Sequence, residues 1–227
     1  MICIPIFESS TAAAVAAMKR AAERADIIEL RLDALDSPDV AALLRERPSI
    51  PLIATARRTD EGGGRNPLPE PERLEMLARA AELGADYIDV ELATETALRS
   101  RLIERKGGAA VIISWHDFEA TPGRDALKDT LRRCFDAGAD VCKLVTMARR
   151  SADCATMLEV VAEAARSGRR VIGFCMGEAG RFSRLATLFM GGLVTYAYLP
   201  PGPVVAPGML SLDELKQYLG ALRYEAE

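Results

Sequence analysis

One unit recurs about eight times along the chain: a short apolar run bounded by Gly, Pro or Asp, then a longer stretch of helical period rich in Ala, Leu, Arg and Glu. The interval is near the ~30 residues of a β/α unit. The apolar runs cover residues 2–7, 27–32, 51–57, 87–92, 109–115, 141–146, 171–176 and 194–199. They are short and β-rich, as strands buried on both faces of a parallel sheet are. Helices are predicted over 10–24, 39–47, 72–83, 94–106, 125–137, 152–167, 181–190 and 211–222. Gly84, Gly107, Gly138, Gly168 and Gly191 stand where a left-handed residue ends a helix. Pro38 is expected in a first helical turn, and Ser211-x-x-Glu214 reads as a capping box. Eight alternating pairs in 227 residues predict a single (β/α)8 barrel over 1–227. A doubly wound open sheet would show a glycine-rich turn after its first strand. Phe7-Glu8-Ser9-Ser10 has no glycine.

Composition narrows the function. Hydrophobic residues make up 49% and charged residues 27%, enough for a large core and against disorder. The net charge is −4 and no basic stretch interleaves with aromatics, which argues against nucleic acid. No apolar run is long enough to span a bilayer, and Met1-Ile2-Cys3-Ile4-Pro5 reads as a strand, not a signal peptide. A cytoplasmic location is expected, with oligomeric state open and a homodimer among the options. Cys3, Cys134, Cys142, Cys154 and Cys175 form no C-x-x-C pair, and the chain has one histidine. Reduced, packed cysteines and no metal site are therefore expected.

Barrel enzymes work at the C-terminal ends of their strands, and those ends are polar here. Alternation along a strand puts Glu29, Arg31 and Asp33 on one face, Asp89 with Glu91, Ser114 with His116, and Val141, Lys143 and Val145 together. Arg57 ends the third strand, and Glu61 follows it before Gly62-Gly63-Gly64. Such charges pointing into a barrel mouth either bind something or close it as an internal salt-bridge layer. Lys143 lies inside the apolar run Val141-Cys142-Lys143-Leu144-Val145. Burial beside arginines favours a free amine, a nucleophile toward carbonyls. The alternative is a lysine neutralised by Asp89 or Glu91. His116 is the one side chain suited to move protons both ways near neutrality. Arg181 and Arg184 open a helix, where cations oppose the helix dipole; a bound anion would relieve that conflict, and solvation at the surface would do so equally.

These segments resemble type I 3-dehydroquinate dehydratase over essentially the whole chain. Seven matching stretches occur in order: Glu29-Leu-Arg31-Leu-Asp33; Arg57 with Glu61-Gly62-Gly63; Asp89-Val-Glu91-Leu92; Ser114-Trp-His116-Asp117-Phe118 with Thr121-Pro122; Gly138-Ala-Asp140 leading to Lys143; Met176-Gly177 through Ser183-Arg184-Leu185; and Ala206-Pro207-Gly208. The resemblance implies dehydration of 3-dehydroquinate to 3-dehydroshikimate in the shikimate pathway of aromatic amino acid biosynthesis. It implies that Lys143 forms a Schiff base with the C3 ketone, His116 moves the proton and Glu61 orients His116. Glu29, Arg31 and Arg57 would hold the ring hydroxyls, Arg184 the carboxylate, and Met176 would pack beside the ring. The iminium is the electron sink, so no metal or organic cofactor is implied.

One loop departs from the family. Where relatives resemble Ser-Ala-Pro-Gly-Gln, with Ser and Gln touching substrate, this chain reads Val205-Ala206-Pro207-Gly208-Met209. Arg181, one helical turn before Arg184, is expected to stand in for the missing partners. Two other readings remain. An aldolase of phosphorylated sugars would need backbone donors after the eighth strand, where Pro200, Pro201 and Pro203 supply none. A non-catalytic metabolite-binding relative would have no need of Lys143, His116 and Glu61 together.

Overall fold

A computed structural model describes residues 1–64 and 68–224. Eight parallel strands carry the fold: β1 (Ile2–Ile6), β2 (Ile27–Arg31), β3 (Leu52–Thr55), β4 (Tyr87–Glu91), β5 (Ala110–Asp117), β6 (Val141–Met147), β7 (Val171–Met176) and β8 (Thr195–Tyr198). The helices are α1 (Thr11–Ala22), α2 (Val40–Arg45), α3 (Glu70–Glu82), α4 (Thr96–Glu104), α5 (Arg124–Asp136), α6 (Ser151–Arg166), α7 (Arg181–Phe189) and α8 (Leu212–Ala221). The strand order is β7-β6-β5-β4-β3-β2-β1-β8, the (β/α)8 arrangement expected from the repeat.

Alternation decides which side chains fill the barrel. Cys3, Ile27, Ile53, Ile112, Val141, Ile172 and Val194 point inward and form an apolar floor. Their neighbours Ile4, Ile28, Leu52, Val111, Cys142 and Leu144 point outward and pack under the helices. All five cysteines are buried free thiols. Among the described residues no helix is long and apolar enough to cross a membrane.

The structure departs from the periodicity in two places. Among the described residues β7 and β8 form no ladder. A backbone bond from Leu193 N–H to Val171 O, at 2.8 Å, bridges the strand starts, and above it the rings of Phe174 and Tyr196 fill the seam with centroids 5.8 Å apart. A two-residue strand, β9 (Leu210–Ser211), also pairs parallel to β8, too short to leave a periodic signal.

The helix-ending glycines all have positive φ. Pro38 is not in a first turn, because Asp39 is the N-cap and its carboxylate accepts from Ala42 N–H at 2.9 Å. Helix α3 begins at Glu70, earlier than the pattern suggested, since Pro71 fits the first turn without needing a donor. The capping box at α8 is present: Ser211 Oγ accepts from Glu214 N–H at 3.2 Å, and Glu214 Oε2 accepts from Ser211 N–H at 2.8 Å. Ser211→Ala is expected to cost about 1 kcal/mol. That corresponds to a melting temperature lower by roughly 2–4 °C for a chain of this size, measured by circular dichroism.

Candidate active site

The upper barrel is a layer of paired charges. Lys143 is only 4% exposed, and its Nζ donates to Asp89 Oδ2 at 2.9 Å and Glu29 Oε1 at 3.2 Å. Arg57 donates to Asp89 at 2.7 Å, to Glu91 at 2.8 Å and to Ser114 Oγ at 2.6 Å. Arg73 pairs with the second oxygen of Glu91 at 2.7 Å. Burial alone would raise the Asp89 pKa, but the Arg57 and Lys143 charges outweigh it and hold the carboxyl well below its usual range. Asp89 and Glu91 in turn push the Arg57 pKa up against the opposing effect of burial. The partners of Lys143 are thus Asp89 and Glu29, with Glu91 committed to the arginines. Carboxylates, not arginines, dominate the contacts of Nζ, contrary to the sequence expectation.

Arg31 makes a two-pronged pair with Asp33 at 2.9 and 2.7 Å and reaches Gly62 O at 3.1 Å. Glu29 Oε1 also accepts from Thr55 Oγ1 at 2.9 Å. Glu29, Arg31 and Arg57 all line the cavity above this layer. The terminal nitrogens of Arg57 are committed to its acids, so its part in the cavity is positive charge and support of Asp89.

The loop after β3 brings Glu61 to the end of β5. One carboxylate oxygen, Oε2, lies 3.0 Å from His116 Nδ1 and accepts from the His116 backbone N–H at 3.1 Å. Two contacts on one oxygen fix both the ring and its strand end. Gly62 follows with φ +81°, and a Cβ there would lie 2.7 Å from the Phe118 ring. The missing side chain lets Phe118 close over His116, with ring centroids 6.2 Å apart. Burial pushes the Glu61 pKa up to about 7, despite the Arg57 charge. Burial, then the Arg57 and Lys143 charges, hold the His116 pKa well below its ordinary value.

At the opposite wall Arg184 is 1% exposed. Its guanidinium lies 4.6 Å over the Phe174 ring and donates to Pro207 O at 3.2 Å. Among the described residues no carboxylate pairs with it, and Nε has no hydrogen-bond partner. Desolvation lowers its pKa to about 10. A buried cation without a counter-charge is the arrangement that an anionic ligand completes. Arg181 is not part of it. Its side chain turns outward to Glu178 and Glu214, at 3.6 and 3.5 Å. The stand-in role expected for Arg181 is overturned.

Lys143, His116, Glu61, Glu29, Arg31, Arg57, Met176, Arg184, Val205 and Met209 all line one cavity, about 610 Å³ including its open mouth. Phe118, Val145, Phe174 and Tyr196 line it too; alternation places Val145 on the face of Lys143, but none of the four is assigned a role in the site from sequence. Alternation along residues 194–199 was the available signal for Tyr196. Among the described residues no cluster of His, Cys, Asp and Glu is arranged to hold a metal ion.

The sequence model of the type I 3-dehydroquinase family matches residues 2–225. The chain belongs to that family. It is similar to the 3-dehydroquinate dehydratase of Desulfotalea psychrophila, 39% identical over 199 residues and 85% of each chain. That of Thermococcus gammatolerans is 39% identical over 197 residues, 86% of this chain and 87% of the relative. The type I 3-dehydroquinate dehydratase of Clostridium difficile, solved with covalent modified comenic acid, superposes with a TM-score of 0.87 at 27% identity, covering 97% of this chain and 91% of that one.

The Glu61–His116 pair gives this type I 3-dehydroquinase a pH signature. A carboxyl whose pKa is raised to about 7 by folding keeps its proton in the native state while the unfolded chain has released it. Its contribution therefore favours the fold at low pH and is lost as pH rises from about 4.5 through 7. His116, with its pKa depressed, acts in the opposite sense below about 6.5. Comparing Glu61→Gln with the parent removes the first effect. The variant is expected to match the parent near pH 5 and to be more stable at pH 8, by about 1–3 kcal/mol from the pKa change. Urea midpoints at the two pH values measure this, and equal differences at both would contradict the protonation assigned to Glu61.

Proposed function

We propose that this protein dehydrates 3-dehydroquinate to 3-dehydroshikimate through an imine on Lys143. The observation that carries the reading is the presence in one cavity of a buried amine, Lys143, and a buried guanidinium, Arg184, that has no carboxylate partner among the described residues. A substrate with a ketone at one end and a carboxylate at the other satisfies both. Membership of the type I 3-dehydroquinase family supports the same substrate.

In this mechanism the Lys143 ammonium gives one proton to the neutral His116 imidazole, and the amine so freed adds to the C3 carbonyl carbon. The C–O bond breaks, the oxygen leaves as water with one proton from the nitrogen and the one His116 carries, and the nitrogen keeps its last proton and the positive charge. The iminium withdraws electrons from C2, so the C2 proton passes to the neutral His116 imidazole. The electrons left behind expel the C1 hydroxyl, which departs as water with the proton His116 carries. Hydrolysis returns the amine and the unsaturated product. Glu61, held against Nδ1, orients the ring. Glu29 and Arg31 hold the ring hydroxyls, Met176 packs beside the ring, and Arg57, its terminal nitrogens taken by Asp89, Glu91 and Ser114, supplies positive charge and supports Asp89 instead of holding a hydroxyl.

The contact between His116 and Glu61, beside Lys143, disfavours a purely binding protein, since binding needs no proton carrier. The prolines after β8 disfavour a phosphosugar aldolase. Borohydride with 3-dehydroquinate is expected to inactivate the protein and leave a reduced adduct on Lys143, read by peptide mass spectrometry. An adduct confined to surface lysines such as Lys106 or Lys128 would remove the imine from the mechanism.

The lid loop sets how tightly this substrate is held. Val205 and Met209 face the cavity with apolar side chains, leaving Arg184 as the charged partner of the carboxylate. A hydrogen bond to a charged group contributes roughly 1.5–3 kcal/mol, or about 10–100-fold in affinity. Val205→Ser with Met209→Gln is expected to lower the Michaelis constant for 3-dehydroquinate with little change in turnover. An unchanged or higher constant would show that the loop is shaped for a less polar ketone.

A further inference from the structure

Two aromatic rings lie against two of the cavity's cations. Lys143 Nζ lies 4.7 Å from the centroid of Tyr196, and the Arg184 guanidinium lies 4.6 Å from that of Phe174. The rings touch each other at a centroid distance of 5.8 Å and an angle of 52°. Both are buried, with exposures of 5% for Tyr196 and 3% for Phe174. They stand on β8 and β7, across the seam where those strands form no ladder among the described residues. The Tyr196 hydroxyl reaches Glu29 Oε1 at 3.5 Å, an oxygen that also accepts from Lys143.

We propose that Tyr196 is a further catalytic residue: its ring face stabilises positive charge on Lys143 Nζ, most of all in the iminium, while the Phe174–Tyr196 pair sets the spacing between that charge and Arg184. The proposal rests on the imine reading above. When the amine adds to a ketone and the oxygen leaves as water, a new N–C bond forms and the charge spreads over C=N. The nitrogen then has one proton left, so it can no longer donate to both Asp89 and Glu29 as the amine does. A ring face has no such directional requirement. It attracts the cation by its quadrupole whichever carboxylate has lost its bond, and it cannot take the remaining proton. The attraction is strongest where water is excluded, as at this buried site.

The test varies the ring without emptying the site. Tyr196→Phe removes only the hydroxyl, Tyr196→Leu removes the π face, and replacement by phenylalanines of increasing fluorination weakens the face at nearly constant shape. The readouts are kcat, KM and the rate at which borohydride traps the Lys143 adduct with 3-dehydroquinate. Tyr196→Phe is expected to stay within about threefold of the parent, and Tyr196→Leu to lose about tenfold in kcat and trapping rate, the size of a desolvated cation–π contact. Across the fluorinated series the trapping rate is expected to fall stepwise while KM and melting temperature hold. A flat fluorinated series, or a leucine variant as fast as the phenylalanine one, overturns the role of the ring face and leaves the imine intact. Absence of any Lys143 adduct in the parent overturns both.

Discussion

Everything at the mouth of this barrel depends on Asp89, a fully buried carboxylate that touches Arg57 and Lys143 at once. From it the charges alternate in both directions: Glu29 beyond Lys143, then Glu91 and Arg73 beyond Arg57. Such a layer is a poor way to gain stability, because desolvating ions offsets most of their attraction, whereas removing one partner typically costs about 3–5 kcal/mol. Its presence over an apolar floor of Ile27, Ile53, Ile112, Val141 and Ile172 is better understood through what it does to Lys143. The amine is held at a fixed point, by rigid strands, in a region from which water is largely excluded.

The cavity divides its cations by partner. Lys143, Arg31 and Arg57 face carboxylates, so their charges are compensated within the protein. Arg184 faces an aromatic ring and a carbonyl. A ligand anion therefore gains most at Arg184, which orients an asymmetric substrate before any bond is made. The same logic applies to protons. Glu61 and His116 share one contact, and burial disfavours the charge on each of them. The pair is poised to take up a proton as a unit when one is released nearby.

The residues that sequence made legible are those whose signal is periodic. Glu29, Arg31 and Lys143 could be assigned inward because their neighbours Ile28, Leu30, Cys142 and Leu144 are apolar and must pack under helices. Arg181 and Tyr196 escaped for opposite reasons. On α7 a step of three residues was read as a shared direction, but Arg181 sits at the first turn, where Glu178 and Glu214 draw it outward. Tyr196 was counted only as strand material, since aromatic residues favour strands whatever they do there. Arg73 was hidden by its helix: an arginine on α3 reads as surface, and only the structure shows it turned beneath the sheet to Glu91 and Ala56 O. The unpaired seam and the two-residue β9 leave no pattern at all, because they depend on which strands meet after closure.

The lid illustrates how such a site can change its contacts without changing its shape. Its anchor is backbone. Pro207 O accepts from Gly177 N–H at 3.1 Å and from Arg184 at 3.2 Å, and Gly208, at φ +74°, comes so close to Gly177 that a Cβ would sit 2.3 Å from the Gly177 oxygen. Only glycine allows that approach. The loop is thus fastened to the end of β7 by Pro207 and Gly208, while Val205 and Met209 on either side turn toward the cavity. Replacing polar side chains by apolar ones at those two positions alters what the ligand meets and leaves the fastening untouched. A substrate carboxylate drawing Arg184 away from Pro207 O would still leave the Gly177 bond in place, so the lid keeps its position while the arginine changes partner. That separation of anchor from contact is why an apolar lid is compatible with a cavity that gathers Lys143, His116, Glu61 and Arg184.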